Sequence, residues 1–167
     1  MLDIITYPNK ILRKKTKNVK DFSNNEFQSF ISEMSQTMLE KDGLGLAANQ
    51  VNKDIRICII NFKDGPQAII NPKILWKSFF KRSVMEEGCL SFPKIFGLVR
   101  RPKIIIIRYK NKQGKTKWLK AKGLLATVIQ HEIDHLNGIL FIDKIFKYTK
   151  GEKKIKLLKK EAKLDEL

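Results

Sequence analysis

Both histidines of the chain, His131 and His135, fall within one five-residue segment, His131-Glu132-Ile133-Asp134-His135. On an α-helix, residues four apart share a face about one turn from each other, so the two imidazoles can hold one metal ion with Glu132 beside it. The residues before the motif, Gly123 to Ile129, are helix-forming and apolar, which predicts a buried helix. Two histidines and two acids buried there are costly without a partner, and a metal ion supplies one. A catalytic zinc-like centre takes three protein ligands and leaves one position for water. No histidine follows His135, and the later acids Asp143, Glu152, Glu161, Asp165 and Glu166 show no helpful arrangement. The better third ligand lies upstream in Glu86-Glu87-Gly88-Cys89-Leu90-Ser91-Phe92-Pro93. Cys89 follows a glycine in a segment bounded by a proline, which suits a turn or strand end where a thiolate can point into a cleft. Cys58, inside the apolar run Arg56-Ile57-Cys58-Ile59-Ile60, reads instead as a core strand residue.

The elements that must position these residues follow from periodicity. Ser23-Asn24-Asn25-Glu26 reads as a capping box, after which Phe27, Phe30, Ile31, Met34 and Met38 recur at helical spacing until Gly43 stops the helix. Beyond Gln50 the pattern is β-like over Ile55 to Phe62, Gln67 to Trp76 and Ile104 to Ile107, the last forming a hairpin with Thr116 to Leu119 through Asn111-Lys112-Gln113-Gly114. The motif helix runs from Leu124 to Asn137, closed by Gly138. The expected class is α+β: antiparallel or mixed β-sheets packed around a central buried helix carrying HExxH, with a C-terminal helix. Without a linker or repeat, the chain divides into one catalytic domain, 1–150, and a basic helix or tail, 151–167. In that tail Ile155, Leu158 and Ala162 form one stripe among lysines.

Three blocks resemble the signature motifs of the peptide deformylases, in the family's order: Gly43-Leu44-Gly45-Leu46-Ala47-Ala48-Asn49-Gln50, then Glu87-Gly88-Cys89-Leu90-Ser91, then Gln130-His131-Glu132-Ile133-Asp134-His135-Leu136-Asn137-Gly138. The likeness runs from Ile4-Ile5-Thr6-Tyr7-Pro8 to the motif helix and weakens after about Phe146. Asn49 stands where the family is variable and often has proline, and Lys94 to Leu98 is less typical. The resemblance implies a hydrolase that removes the formyl group from formyl-methionyl nascent peptides. It implies one divalent ion held by Cys89, His131 and His135, ferrous iron in cells, with zinc, nickel or cobalt replacing it in preparations. It assigns the oxyanion donors to the Gln50 side chain and the Leu90 backbone N–H. Members act on chains emerging from the ribosome, and in some the C-terminal helix docks there, so the ribosome is an expected partner of the basic tail.

On this reading Cys89 as thiolate and two neutral imidazoles leave a coordination position where water is acidified, and Glu132 serves as general base and then general acid. Asp134 serves as support for the helix or a ligand. Helical geometry sets Thr127 or Val128 and Leu124 toward the ligand face, and with Leu44 they form an apolar slot for a methionine side chain. Gly43 and Gly45 let an extended peptide approach and pair like an added strand.

Composition agrees. The chain has 167 residues, enough for one domain with a real core. No apolar run is long enough to cross a bilayer, Met1-Leu2-Asp3-Ile4 lacks a signal-peptide layout, and two cysteines make a disulfide framework improbable. A cytoplasmic protein without a membrane partner is expected. Thirty-four basic against seventeen acidic residues give a formal charge of +17, which favours polyanions, although the same lysine bias arises from whole-proteome composition. No sequence-specific nucleic-acid motif is visible, and aromatic residues do not interleave with basic ones as a stacking platform requires. Two rival functions make different demands. A zinc metallopeptidase cleaving ordinary peptide bonds needs a downstream third ligand, which is absent, and a noncatalytic ribosome-associated protein would tolerate loss of Glu132, Cys89 or Gln50, all of which are present.

Overall fold

The computed structural model describes residues 1–164, so residues 165–167 of the basic tail, with Asp165 and Glu166, lie outside the described residues. Among the described residues eight strands form two antiparallel sheets, accompanied by three α-helices, the α+β architecture expected from the sequence. The larger sheet has the order β1-β2-β3-β6-β7, built from Gly45–Ala47, Ile57–Phe62, Gly65–Lys77, Ile104–Lys110 and Thr116–Lys122. The smaller has the order β4-β5-β8, from Arg82–Gly88, Phe96–Pro102 and Ile145–Lys150.

The unbroken apolar run of β2 has a packing cause. Cys58 and Ile60 point to one face, where they meet Ala126, Ile129, Ile133 and Leu136 of α2 (Leu124–Leu136). Ile57 and Ile59 point to the other, against Ile31, Met34 and Met38 of α1 (Asn25–Glu40). A strand covered on both faces has no position left for a polar residue, and each isoleucine so buried contributes about 1.5–3 kcal/mol. A third cluster joins Leu12, Phe92, Ile95, Val99, Phe141 and Ile142, and α3 (Glu152–Leu164) inserts Ile155 into it at 1% exposure.

Local signals differ from expectation at α1. The N-cap is Asn24, whose side chain accepts from the Glu26 N–H, while the Ser23 hydroxyl donates to Asp21 instead. The helix ends at Glu40, before Gly43, because Asp42 takes the left-handed turn at φ 53°, which a short polar side chain tolerates. The Gly43 N–H still closes the end by donating to the Met38 carbonyl at 2.9 Å. Both ends of the motif helix follow the sequence, with Gly138 at φ 73° just past the cap Asn137. Strands β1, β4, β5 and β8 escaped the sequence reading. In β5 the reason is plain: an inward position carries Arg101, 3% exposed, and a buried charge breaks the apolar alternation. Among the described residues no helix is long and apolar enough to cross a membrane.

Candidate active site

One turn of α2 carries both histidines, and the turn that follows β4 carries Cys89. One donor atom from each of Cys89, His131 and His135 lies within 4.8 Å of the others. The Cys89 Sγ is 3.2 Å from His135 Nε2. Thus the two sequence-adjacent ligands and the upstream cysteine converge, as the missing downstream histidine requires.

The chain also supplies what holds these ligands. His131 Nδ1 lies 2.9 Å from Glu87 Oε2 on β4, which leaves Nε2 for the centre. Arg101 on β5 grips both Glu87 oxygens, through Nε at 2.5 Å and Nη2 at 2.9 Å. Its Nη1 reaches Asp134 Oδ2 at 2.6 Å, and Lys144 Nζ reaches the same oxygen at 2.6 Å. A ladder of alternating charge therefore ties β4 and β5 to the helix that carries the histidines. Asp134 supports a ligand through Arg101 and Glu87. Sequence reasoning missed Glu87, Arg101 and Lys144. Glu87 had a usable signal, since a ligating histidine ordinarily donates its second nitrogen to a carboxylate and Glu87 stands two residues from Cys89. Arg101 had none.

Charges at the site follow from burial and partners. Burial would raise the Glu87 pKa, but hydrogen bonds from Arg101 and His131 overcome it and hold the carboxyl at about 2. Burial lowers His135 well below the ordinary imidazole value, which keeps it neutral and able to ligate. Burial would lower His131 too, yet hydrogen bonds to Cys89 and Glu87 push it up to about 10. One sulfur and two imidazole donors converge at ligand spacing, with Glu87 fixing one ring, which matches a three-ligand centre that keeps a position open. These residues fit a single metal ion.

Glu132 is 4% exposed, and burial raises its pKa to about 7, with Glu87 and Asp134 adding to the rise while His131 and Arg101 oppose it. Its Oε2 has no hydrogen-bond partner among the described residues. Gly45 explains how the carboxyl fits: a Cβ there would lie 2.6 Å from Glu132 Oε1 and 2.7 Å from its Cγ. Only hydrogen leaves room, so the glycine-rich segment is more than a helix stop.

Gln50 is oriented by two sets of bonds. Its Oε1 accepts the Ala47 N–H at 2.9 Å, so its Nε2 faces Ser91 Oγ at 3.2 Å and Cys89 Sγ at 3.4 Å. Asn49, to which the sequence assigned no role, donates from Nδ2 to the His135 carbonyl at 2.7 Å. A cleft of about 570 Å³ opens over Glu132. Gly43, Leu44, Gly45, Gln50, Leu90, Leu124, Thr127 and Val128, all expected from the sequence, lie along it with Cys89 and His131. Leu44 and Leu124 form the rim, at 51% and 56% exposure. Met85 of β4, Phe92 of the following turn and Phe96 of β5 add apolar wall that the sequence did not mark, because neither strand was recognised.

Known proteins resemble this chain in sequence and in fold. The family model described as polypeptide deformylase matches residues 1–151. The chain is 44% identical to the peptide deformylase of Helicobacter hepaticus, over 96% of this chain and 93% of that protein. It is 42% identical to that of Bartonella tribocorum, over 98% and 94%. In three dimensions it is similar to the peptide deformylase of Thermotoga maritima, with a TM-score of 0.84, 42% identity, and coverage of 87% of this chain and 97% of that one. A Legionella pneumophila peptide deformylase aligns over 99% and 95% with a TM-score of 0.85 at 31% identity. Sequence and fold agree along nearly the whole length, and the chain belongs to the polypeptide deformylase family.

Proposed function

We propose that this hydrolase removes the N-terminal formyl group from formyl-methionyl nascent peptides in the cytoplasm, releasing formate, with residues 1–150 as the catalytic domain. The observation that carries the reading is the buried Glu132 carboxylate, lacking a partner on Oε2 and set beside the thiolate and imidazole donors in an open cleft. Cys89, His131 and His135 would hold the ion. Thiolate with imidazole suits zinc or ferrous iron, and ferrous iron in cells is our assignment, with zinc, nickel or cobalt as substitutes. When bound, the ion supplies Lewis acidity, acidifying water and drawing charge from a carbonyl oxygen.

The chain's own groups do the rest. Glu132 takes a proton from the attacking water as its oxygen adds to the formyl carbon. Charge gathering on the formyl oxygen meets the Gln50 Nε2–H and the Leu90 N–H, donors whose loss typically costs about a hundredfold or more in rate. Glu132 then hands its proton to the peptide amine as the C–N bond breaks, leaving formate and a free amino terminus. Leu44, Leu124, Thr127 and Val128 receive the methionine side chain. Strand β1 is the outer strand of the larger sheet and β4 that of the smaller, so an extended peptide can pair along Gly43 to Gly45. The lysine face of α3 offers a contact for ribosomal phosphates.

An anaerobic assay tests the activity. A formyl-Met peptide should yield one formate per free amine, with rate proportional to bound metal, and the acetyl-Met peptide should react far more slowly. Cleavage of an internal peptide bond with the formyl group intact would replace this reading by the peptidase one.

A further inference from the structure

Away from the active cleft, and sharing none of its lining residues, a second concavity of about 650 Å³ lies where β3 and β6 meet the C-terminal end of α2. Among the described residues its wall carries Lys15, Arg56, Lys73, Arg108 and Lys110 and no aspartate or glutamate. Among the described residues none of these five cations makes an ion pair with a carboxylate. Lys73 and Arg108 stand directly opposite each other across the β3–β6 ladder, where like charges repel. Arg56 is half-buried at the base, and its guanidinium donates only to neutral acceptors: Leu136 O at 3.1 Å, Asn137 Oδ1 at 2.9 Å and Pro72 O at 3.2 Å. Uncompensated charge on a solvated lysine face is ordinary. Here it is gathered into a concave volume, set face to face across a sheet and anchored on a partly desolvated arginine.

We propose that this cleft binds a compact phosphate-bearing small molecule, for which ADP and inorganic phosphate serve as probes. The volume falls in the range of small-ligand pockets, about 300–1,000 Å³. Phosphate oxygens would relieve the Lys73–Arg108 repulsion and accept charge-assisted hydrogen bonds from the arginines. A concave volume of this size favours a compact ligand over a nucleic-acid strand.

The test titrates the metal-loaded enzyme with ADP as its magnesium complex and with inorganic phosphate, at about physiological ionic strength, 0.15 M. ADP should bind at a single site, phosphate should compete with it, and Lys73→Ala/Arg108→Ala should weaken ADP binding about tenfold or more. Formyl-peptide turnover of that variant should be unchanged. A control pair, Lys120→Ala/Lys122→Ala, removes equal charge from exposed β7 positions and should leave ADP binding intact. Equal weakening by the control pair would reduce the effect to the general positive field and overturn the proposal. So would absence of ADP binding at about millimolar concentration, or an oligoribonucleotide that occupies the site and resists displacement by ADP.

Discussion

Gly45 and Glu132 were read from the sequence as separate features, a backbone approach point and a base, and the structure makes them one. The glycine has no side chain because the carboxyl occupies that space. Gly45→Ala should therefore push Glu132 out of line, lowering kcat by about a hundredfold, since small misplacement near reacting atoms has that effect. Metal content should stay that of the parent enzyme, because no ligand is moved. Turnover within a few-fold of the parent would mean that Glu132 tolerates displacement. At this scale most of the candidate site was legible: the ligand types and the i, i+4 spacing are local signals, and Cys89 followed from the need for a third donor. What was not legible depends on contacts between distant segments. Glu87 on His131 and Ser91 on Gln50 are pairings that no spacing rule announces.

Among the elements, β5 carries the largest consequence. It brings Arg101 under α2, where one guanidinium serves Glu87 and Asp134 together. Arg101→Met keeps comparable bulk but leaves two buried carboxylates short of a cation, which should cost about 3–5 kcal/mol of stability. The pH dependence has a definite sign. Glu87 is held at about 2, below its ordinary value of 4.5, so its ion pair stabilises the fold above pH 4.5, and that stability is lost as pH falls toward 2. Thermal unfolding of the parent should steepen its fall in that window, and Arg101→Met should flatten it. An unchanged profile would show that Arg101 does not set the Glu87 charge. Helices and the β2, β3, β6 and β7 strands were readable because each has an apolar face of regular period. Strands β4 and β8 are half exposed and rich in charge, so their pairing partners, distant in sequence, decide their structure.

For the whole molecule, two features extend past the catalytic core. The α3 helix docks through Ile155 while Lys153, Lys159 and Lys160 face solvent. Ile155→Asn places a polar amide in an apolar cluster and should lower stability by about 2–4 kcal/mol. Lys153→Ala/Lys160→Ala should leave stability unchanged but weaken ribosome binding and flatten its salt dependence, because fewer cations meet phosphates. Ribosome affinity unaltered at low salt would leave those lysines as a solvated face. The net charge of +17 was legible from composition alone, but its distribution was not. One turn shows the difference: Phe79 and Phe80 join β3 to β4 and are 73% and 92% exposed, which their residue type does not announce. Burial of an aromatic is decided by the sheets on either side, which the sequence reading had not separated.

The central claim is that Glu132 moves the proton while Cys89, His131 and His135 hold the ion. Glu132→Gln keeps the shape against Gly45 and removes the base. The most direct measurement compares formate release from a formyl-Met peptide with metal content in the same anaerobic samples of parent and variant. The variant should carry a full equivalent of metal and lose turnover by about a thousandfold or more. A fully metallated Glu132→Gln enzyme within tenfold of the parent rate would contradict the account.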